Sequence, residues 1–150
     1  MLARYYRAAH RLEEARALER EGVALFPGNA RAQITLGYGF LDDGMDRKAL
    51  RIAARILSAD ARDSDAHDLR SRALDKQNDG EGALASAREA RNLEPGNKRL
   101  HSSLIGLLLR ARCYGEALEE GLRAAAKFPY NTFFQTQIED ARLRLLECEA

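Results

Sequence analysis

The prolines of this chain stand at positions 27, 95 and 129, so the two intervals between them are 68 and 34 residues. Intervals related as two to one constrain the fold more than any local motif, because a fixed period of this size means that one supersecondary unit is repeated. The same punctuation surrounds each proline: Phe26-Pro27-Gly28-Asn29, Glu94-Pro95-Gly96-Asn97 and Phe128-Pro129-Tyr130-Asn131. The missing member falls at position 61, where Ala61-Arg62-Asp63 lacks the proline but keeps an Asx residue two places on. A second column repeats the interval independently. Alanine stands twelve residues before each of these positions, at Ala15, Ala49, Ala83 and Ala117, and Leu50, Leu84 and Leu118 follow three of them.

Between the punctuation marks the apolar residues recur with helical spacing. The pattern predicts helices over 2–9, 12–25, 30–43, 46–58, 64–77, 81–92, 98–111 and 114–127, with an end helix over 132–148. Asn29, Asp63 and Asn97 stand where an N-cap is needed, and Thr132 can cap the end helix. Asp42-Asp43-Gly44 and Asn78-Asp79-Gly80 read as turns inside the second and third units. In the end helix Ile138, Ala141 and Leu145 should face the rest of the chain, while Phe133, Phe134, Leu143 and Leu146 are more apolar than a solvated end requires. One helix pair would leave an apolar face bare, so the units must stack to bury it. A chain of 150 residues, 45% of them hydrophobic, suffices for one such core, and we read 1–150 as a single domain.

Leu36-Gly37 followed by Phe40, then Ala49 and the period of 34, resembles the tetratricopeptide repeat. The resemblance implies an all-α fold, a right-handed superhelical α-solenoid of antiparallel helix pairs. It comprises about three and a half to four repeats, at 1–29 (truncated), 30–63, 64–97 and 98–131, with a capping helix over 132–148. Where the family often places a large aromatic, this chain has Glu19, Ala53, Ala87 and Gly121, so packing there is expected to be closer or to be filled from elsewhere. Counted back from Pro27, the first unit begins before Met1, and the chain is expected to be a piece of a longer protein, the alternative being a natural start with a shortened first helix.

In this family the first helix of each pair lines a concave groove that holds an extended or helical segment of a partner. By that resemblance the groove here is lined by Arg31, Tyr38, Asp65, Asp68, Arg72, Asp75, Arg99 and Arg110, with Ile34, Leu41, Ser102, Leu109 and Phe133 also facing inward and Arg4 and Arg7 preceding them. Arginine can grip carboxylates bidentately and Tyr38 offers a stacking surface. The family members that bind chaperone C-termini use a clamp of lysines and asparagines. The matching places here hold Ile34, Tyr38, Leu69, Arg99 and Ser103, and only Arg99 is compatible with that clamp.

The remaining chemistry is sparse. With 24 basic and 23 acidic side chains there is no global field to draw the chain to nucleic acid, and no apolar run approaches the roughly 20 residues that span a bilayer. His67 and His101 occupy equivalent places in neighbouring units, which sets them too far apart to share a metal ion. Asp60, Asp63, Asp65 and Asp68 lack the glycine and closing glutamate of a calcium loop and read as helix caps. Cys113 and Cys148 read as packing residues. No cofactor, metal or catalytic group is expected, and the leading expectation is a non-catalytic scaffold for a protein or peptide, as a monomer or weak homodimer. A runner-up is the repeat portion of a larger bacterial secretion or exopolysaccharide-export protein that contacts polysaccharide. It is suggested by 20 arginines against 4 lysines and by many alanines, the composition of a GC-rich genome. A third reading makes the repeats regulators of an attached enzyme. As written the chain is expected in the cytoplasm, or in the periplasm if it is cut from a secreted parent.

Overall fold

A computed structural model describes residues 12–25 and 27–149, so the helix expected over 2–9, with Arg4 and Arg7, lies outside the described residues. Among the described residues there are eight helices and no strand: α1 Leu12–Leu25, α2 Ala30–Asp42, α3 Asp46–Ala59, α4 Ser64–Lys76, α5 Gly80–Leu93, α6 Lys98–Arg110, α7 Tyr114–Lys127 and α8 Thr132–Glu149. Each packs on the next in chain order, as antiparallel pairs stacked into one solenoid.

The turns repeat as faithfully as the helices. The side chains of Asn29, Asp63 and Asn97 accept from the backbone N–H groups of Ala32, Ala66 and Arg99, which satisfies donors at the starts of α2, α4 and α6. At the last helix the cap is Asn131, whose Oδ1 accepts from Phe133 N at 3.1 Å. Thr132 is already the first helical residue, because the Asx column and not the hydroxyl keeps the 34-residue register. Inside the units the backbone N–H groups of Met45, Asp79 and Cys113 reach back to the carbonyls of Phe40, Leu74 and Leu108. The residue before each closing donor is left-handed: Gly44 (φ 72), Asn78 (φ 61) and Arg112 (φ 60). Gly80, expected in a turn, opens α5 instead, with Asp79 as its cap.

A second recurring tie joins each first helix to the turn before it. Gln33 Nε2 donates to Pro27 O at 2.5 Å, and His67 Nε2 and His101 Nε2 lie 3.0 and 3.1 Å from Ala61 O and Pro95 O. These are the same two columns, 34 residues apart in each case. The two histidines are thus turn fasteners, and Ala61 holds the place of a proline without loss of register.

The core follows the alanine column: Ala15, Ala49, Ala83 and Ala117 are each fully buried. Ala53, Ala87 and Gly121, three of the four residues that stand where the family often has an aromatic, are buried, and close approaches occur at Gly121 and, in another column, at Gly37. A Cβ on Gly121 would lie 2.8 Å from Ile138 Cγ1, and one on Gly37 would overlap Leu69. In α8 Phe134, Ile138 and Ala141 are buried and Leu145 is half-buried, whereas Phe133, Leu143 and Leu146 are exposed. Phe134 stacks on Phe128, which in turn meets the His101 ring edge-on. Cys113 is half-buried, in keeping with a packing role, but Cys148 is exposed.

Candidate functional site

The first helices α2, α4 and α6 share one face, and its organising residue is Asp68. Its position on α4 turns it toward both neighbours, and it is only 1% exposed. An ionised carboxylate at that depth requires charged donors, and it has three partners, two of them charged. Tyr38 of α2 donates its hydroxyl at 2.5 Å, Arg72 donates Nε at 3.0 Å one turn along α4, and Arg99 of α6 donates Nη1. Arg99 also reaches Asp65 through Nη2 at 2.9 Å, and Arg72 bonds Ser103 Oγ at 3.2 Å. The Arg72 guanidinium lies 5.4 Å from the centre of the Tyr38 ring, within cation–π range. Burial, with the Asp68 charge second, pushes the Tyr38 phenol well above its ordinary value. Arg99 is also raised: burial opposes the shift, and the carboxylate of Asp68 overcomes it. Desolvation lifts Asp65 above the usual aspartate range, against the pull of Arg99.

Five of the eight residues placed in the groove by sequence therefore form one connected network that ties three units together. Two more, Asp75 and Arg110, make a separate bridge from α4 to α6 at 2.7 Å. Arg31 stands apart: it is exposed at the start of α2 and makes no ion pair among the described residues. Ile34 and Leu41, on the same helix, turn into the core.

Beside the network lies a hollow of about 340 Å³. Tyr38, Leu41, Arg72, Asp75, Ser102 and Arg110, all assigned to the inner face from the sequence, form part of its wall, together with Ser71, Lys76, Ser103 and Gly106, which the sequence did not assign to the groove. Ser102 and Ser103 offer hydroxyls, Ser71 is only 1% exposed, Lys76 offers a charge with no ion pair among the described residues, and Gly106 leaves one wall bare. A Cβ at Gly106 would meet nothing nearer than Arg110 Nη1 at 3.6 Å. Small residues carry no periodic signal, so only their column in the repeat could have marked them.

A second polar cluster lies between α5, α6 and α7. Glu120 is 3% exposed and accepts from His101 Nδ1 at 2.6 Å, from Arg123 Nη1 at 2.8 Å, and faces Arg91 Nε at 3.1 Å. With Pro95 O 3.1 Å from the other ring nitrogen, both nitrogens of His101 face oxygens. The cluster joins two units; Arg91 Nε faces Glu120 without a hydrogen bond of good geometry, and Arg91, Glu120 and Arg123 line a small hollow of about 210 Å³. Among the described residues no group of His, Cys, Asp and Glu has the geometry of a metal site. Asp60 and Asp63 cap the backbone N–H groups of Arg62 and Ala66. No described helix is long and apolar enough to cross a membrane.

No family model matches the sequence, and no curated protein matches it. Solved structures do match the fold. TTC0263, a thermophilic tetratricopeptide-repeat protein of Thermus thermophilus, is similar with a TM-score of 0.78 at 17% identity, over 96% of this chain and 79% of that one. PilF of Pseudomonas aeruginosa gives 0.79 at 20% identity, over 97% of this chain and 67% of that one. The first tetratricopeptide domain of Spaghetti (RPAP3), solved with the HSP90 peptide SRMEEVD, gives 0.69 at 15% identity, over 78% of this chain and 95% of that one. At these identities the likeness speaks to fold, and the fold of this chain is that of the tetratricopeptide-repeat proteins, as its 34-residue period implies.

Proposed function

We propose that the chain is a non-catalytic scaffold that holds an extended or helical segment of a partner protein along α2, α4 and α6. One observation carries this reading: the hollow on that face opens beside a rigid, internally neutralised network and is lined by hydroxyls and charges of both signs. Main-chain amides and carbonyls of an extended peptide suit Ser102 and Ser103, and an acidic side chain suits Lys76. The Spaghetti domain, of like fold, was solved with a peptide bound. The lysine–asparagine clamp for chaperone tails fits this chain poorly, since Ile34 and Leu69 are buried and Arg99 is already engaged by Asp65 and Asp68.

Displayed random peptides selected on the immobilised chain test the reading. Peptides with an acidic residue are expected to be enriched on the wild type and lost on Gly106→Trp, which projects an indole into the hollow from a position where a Cβ meets only Arg110 Nη1 at 3.6 Å. Equal retention by both proteins, or no enrichment on the wild type, contradicts it. Gly106→Trp is a better probe than changes at Tyr38 or Arg72, because both of those side chains hold the buried carboxylate of Asp68.

A further inference from the structure

The outward rows of the second helices alternate in charge. At equivalent positions α1 presents Glu13, Ala17 and Glu21, α3 presents Arg47, Arg51 and Arg55, and α5 presents Glu81, Ala85 and Glu89, all of them exposed. Three arginines at i, i+4 spacing repel one another along α3 and oppose its formation. Many other arginines are paired: Arg72, Arg88, Arg91, Arg99, Arg110 and Arg123 each meet a carboxylate, while Arg31, Arg62, Arg70 and Arg112 stand singly without an ion pair among the described residues and form no row. Among the described residues Arg47 and Arg51 make no ion pair, and Arg55 donates only to the amide oxygen of Gln33 at 3.1 Å. Glu81 and Glu89 likewise make no ion pair among the described residues.

We infer that two copies of the chain associate back to back through these rows, α3 of one copy against α5 of the other about a two-fold axis. The axis runs along the helices between α3 and α5, and because those two helices run parallel within one chain it also sets α3 of one copy parallel to α5 of the other. Arg47 then faces Glu81 of the second copy, Arg51 faces Ala85 and Arg55 faces Glu89, and the same contacts recur on the other side of the axis. Two arginines meet two glutamates at each contact, where the guanidinium fork can pair with a carboxylate bidentately. Ala54 and Ser58 are also exposed on α3, and Ala85 on α5, so little bulk keeps the helices apart. Packing α3 on its own copy would oppose like charges, and α1 is the poorer match because Glu13 is engaged by Arg16 at 2.6 Å. The face of α2, α4 and α6 stays open in this arrangement, so each copy keeps its hollow free.

Sedimentation velocity of the whole chain over a concentration series tests the inference, at about 0.02 M and about 0.5 M salt. A dimer is expected at low salt, with its dissociation constant raised about tenfold or more at high salt. Arg47→Glu with Arg55→Glu should be monomeric, and so should Glu81→Arg with Glu89→Arg. Mixed together, the two variants should associate again, because each supplies the charge that the other lacks. Circular dichroism checks that both are folded; if either is not, the salt series and the other variant decide. A wild type that is monomeric throughout, a dimer indifferent to salt, reversed variants that dimerise as the wild type does, or a mixture that fails to associate each overturns the inference.

Discussion

At the scale of single residues the inner face turns on Asp68. One buried carboxylate serves donors from three helices, so its interactions cannot be independent. Arg72 and Arg99 are each about two-fifths exposed, at 43% and 41%, and solvent screening limits the loss from either single change. Arg72→Met and Arg99→Met are each expected to lower stability by about 1 kcal/mol. The double variant leaves the carboxylate with Tyr38 alone and should lose more than the sum of the two, by about 1 kcal/mol or more in a denaturant titration. Strict additivity would mean that Asp68 does not couple them. Tyr38 adds a pH signature. Its phenol is held well above its ordinary value of 10.0, so the native state keeps a proton that the unfolded chain gives up. That contribution is whole below about pH 10 and declines as pH rises further. Tyr38→Phe should cost about 1–2 kcal/mol near neutrality by removing a bond to a buried charge, and its deficit should shrink between about pH 10 and about pH 12. A deficit constant over that range contradicts the assignment. Helical spacing and the family resemblance sufficed to put Tyr38, Asp68, Arg72 and Arg99 on one face. That Asp68 is buried there was not legible, because two of its donors lie 30 and 31 residues away and belong to other units.

At the scale of the element, the same substitution has opposite signs at two helical glycines. Gly106→Ala meets open space in α6 and should stabilise by about 0.5–1 kcal/mol through helix propensity. Gly121→Ala drives a methyl against Ile138 where α7 crosses α8, and should destabilise by about 1–3 kcal/mol. Thermal melting of the pair checks both, and shifts of the same sign would refute the crossing. The turn column supplies a third case. Gly44 and Asn78 suit the left-handed backbone and Arg112 does not, so Arg112→Gly should stabilise by about 0.5–1 kcal/mol. An unchanged or lowered melting temperature would contradict this. Arg112 also shows why the turn was only partly readable. A column is recognised by its residue types, and an arginine in the place of glycine conceals a geometry that its two predecessors display.

At the scale of the whole molecule, repetition made the fold legible. Two columns at a 34-residue interval located seven helices to within a residue or two, with the last one to follow, and the unit at 30–63 kept its place without its proline. Long-range order in such a stack is a sum of neighbour contacts, so local pattern carries more of the fold than it does in a chain with distant pairings. Binding is not repeated in this way. The hollow depends on Gly106, Ser102 and Ser103, which differ from their counterparts in other units; position in the first helix puts Ser102 on the inner face, but no periodicity points to the other two. Ala83, fully buried between α5 and its neighbours, tests the register: Ala83→Leu should cost about 1–3 kcal/mol by overpacking, and a melting curve like that of the wild type would undermine it. The central claim, that a partner segment lies along the first helices, is tested most directly by amide chemical-shift mapping of the labelled chain with a peptide selected on it. Shifts concentrated at Ser71, Ser102, Ser103 and Gly106, with the outer rows of α3 and α5 unmoved, are the predicted result. Shifts confined to those outer rows, or to the exposed end of α8, would contradict it.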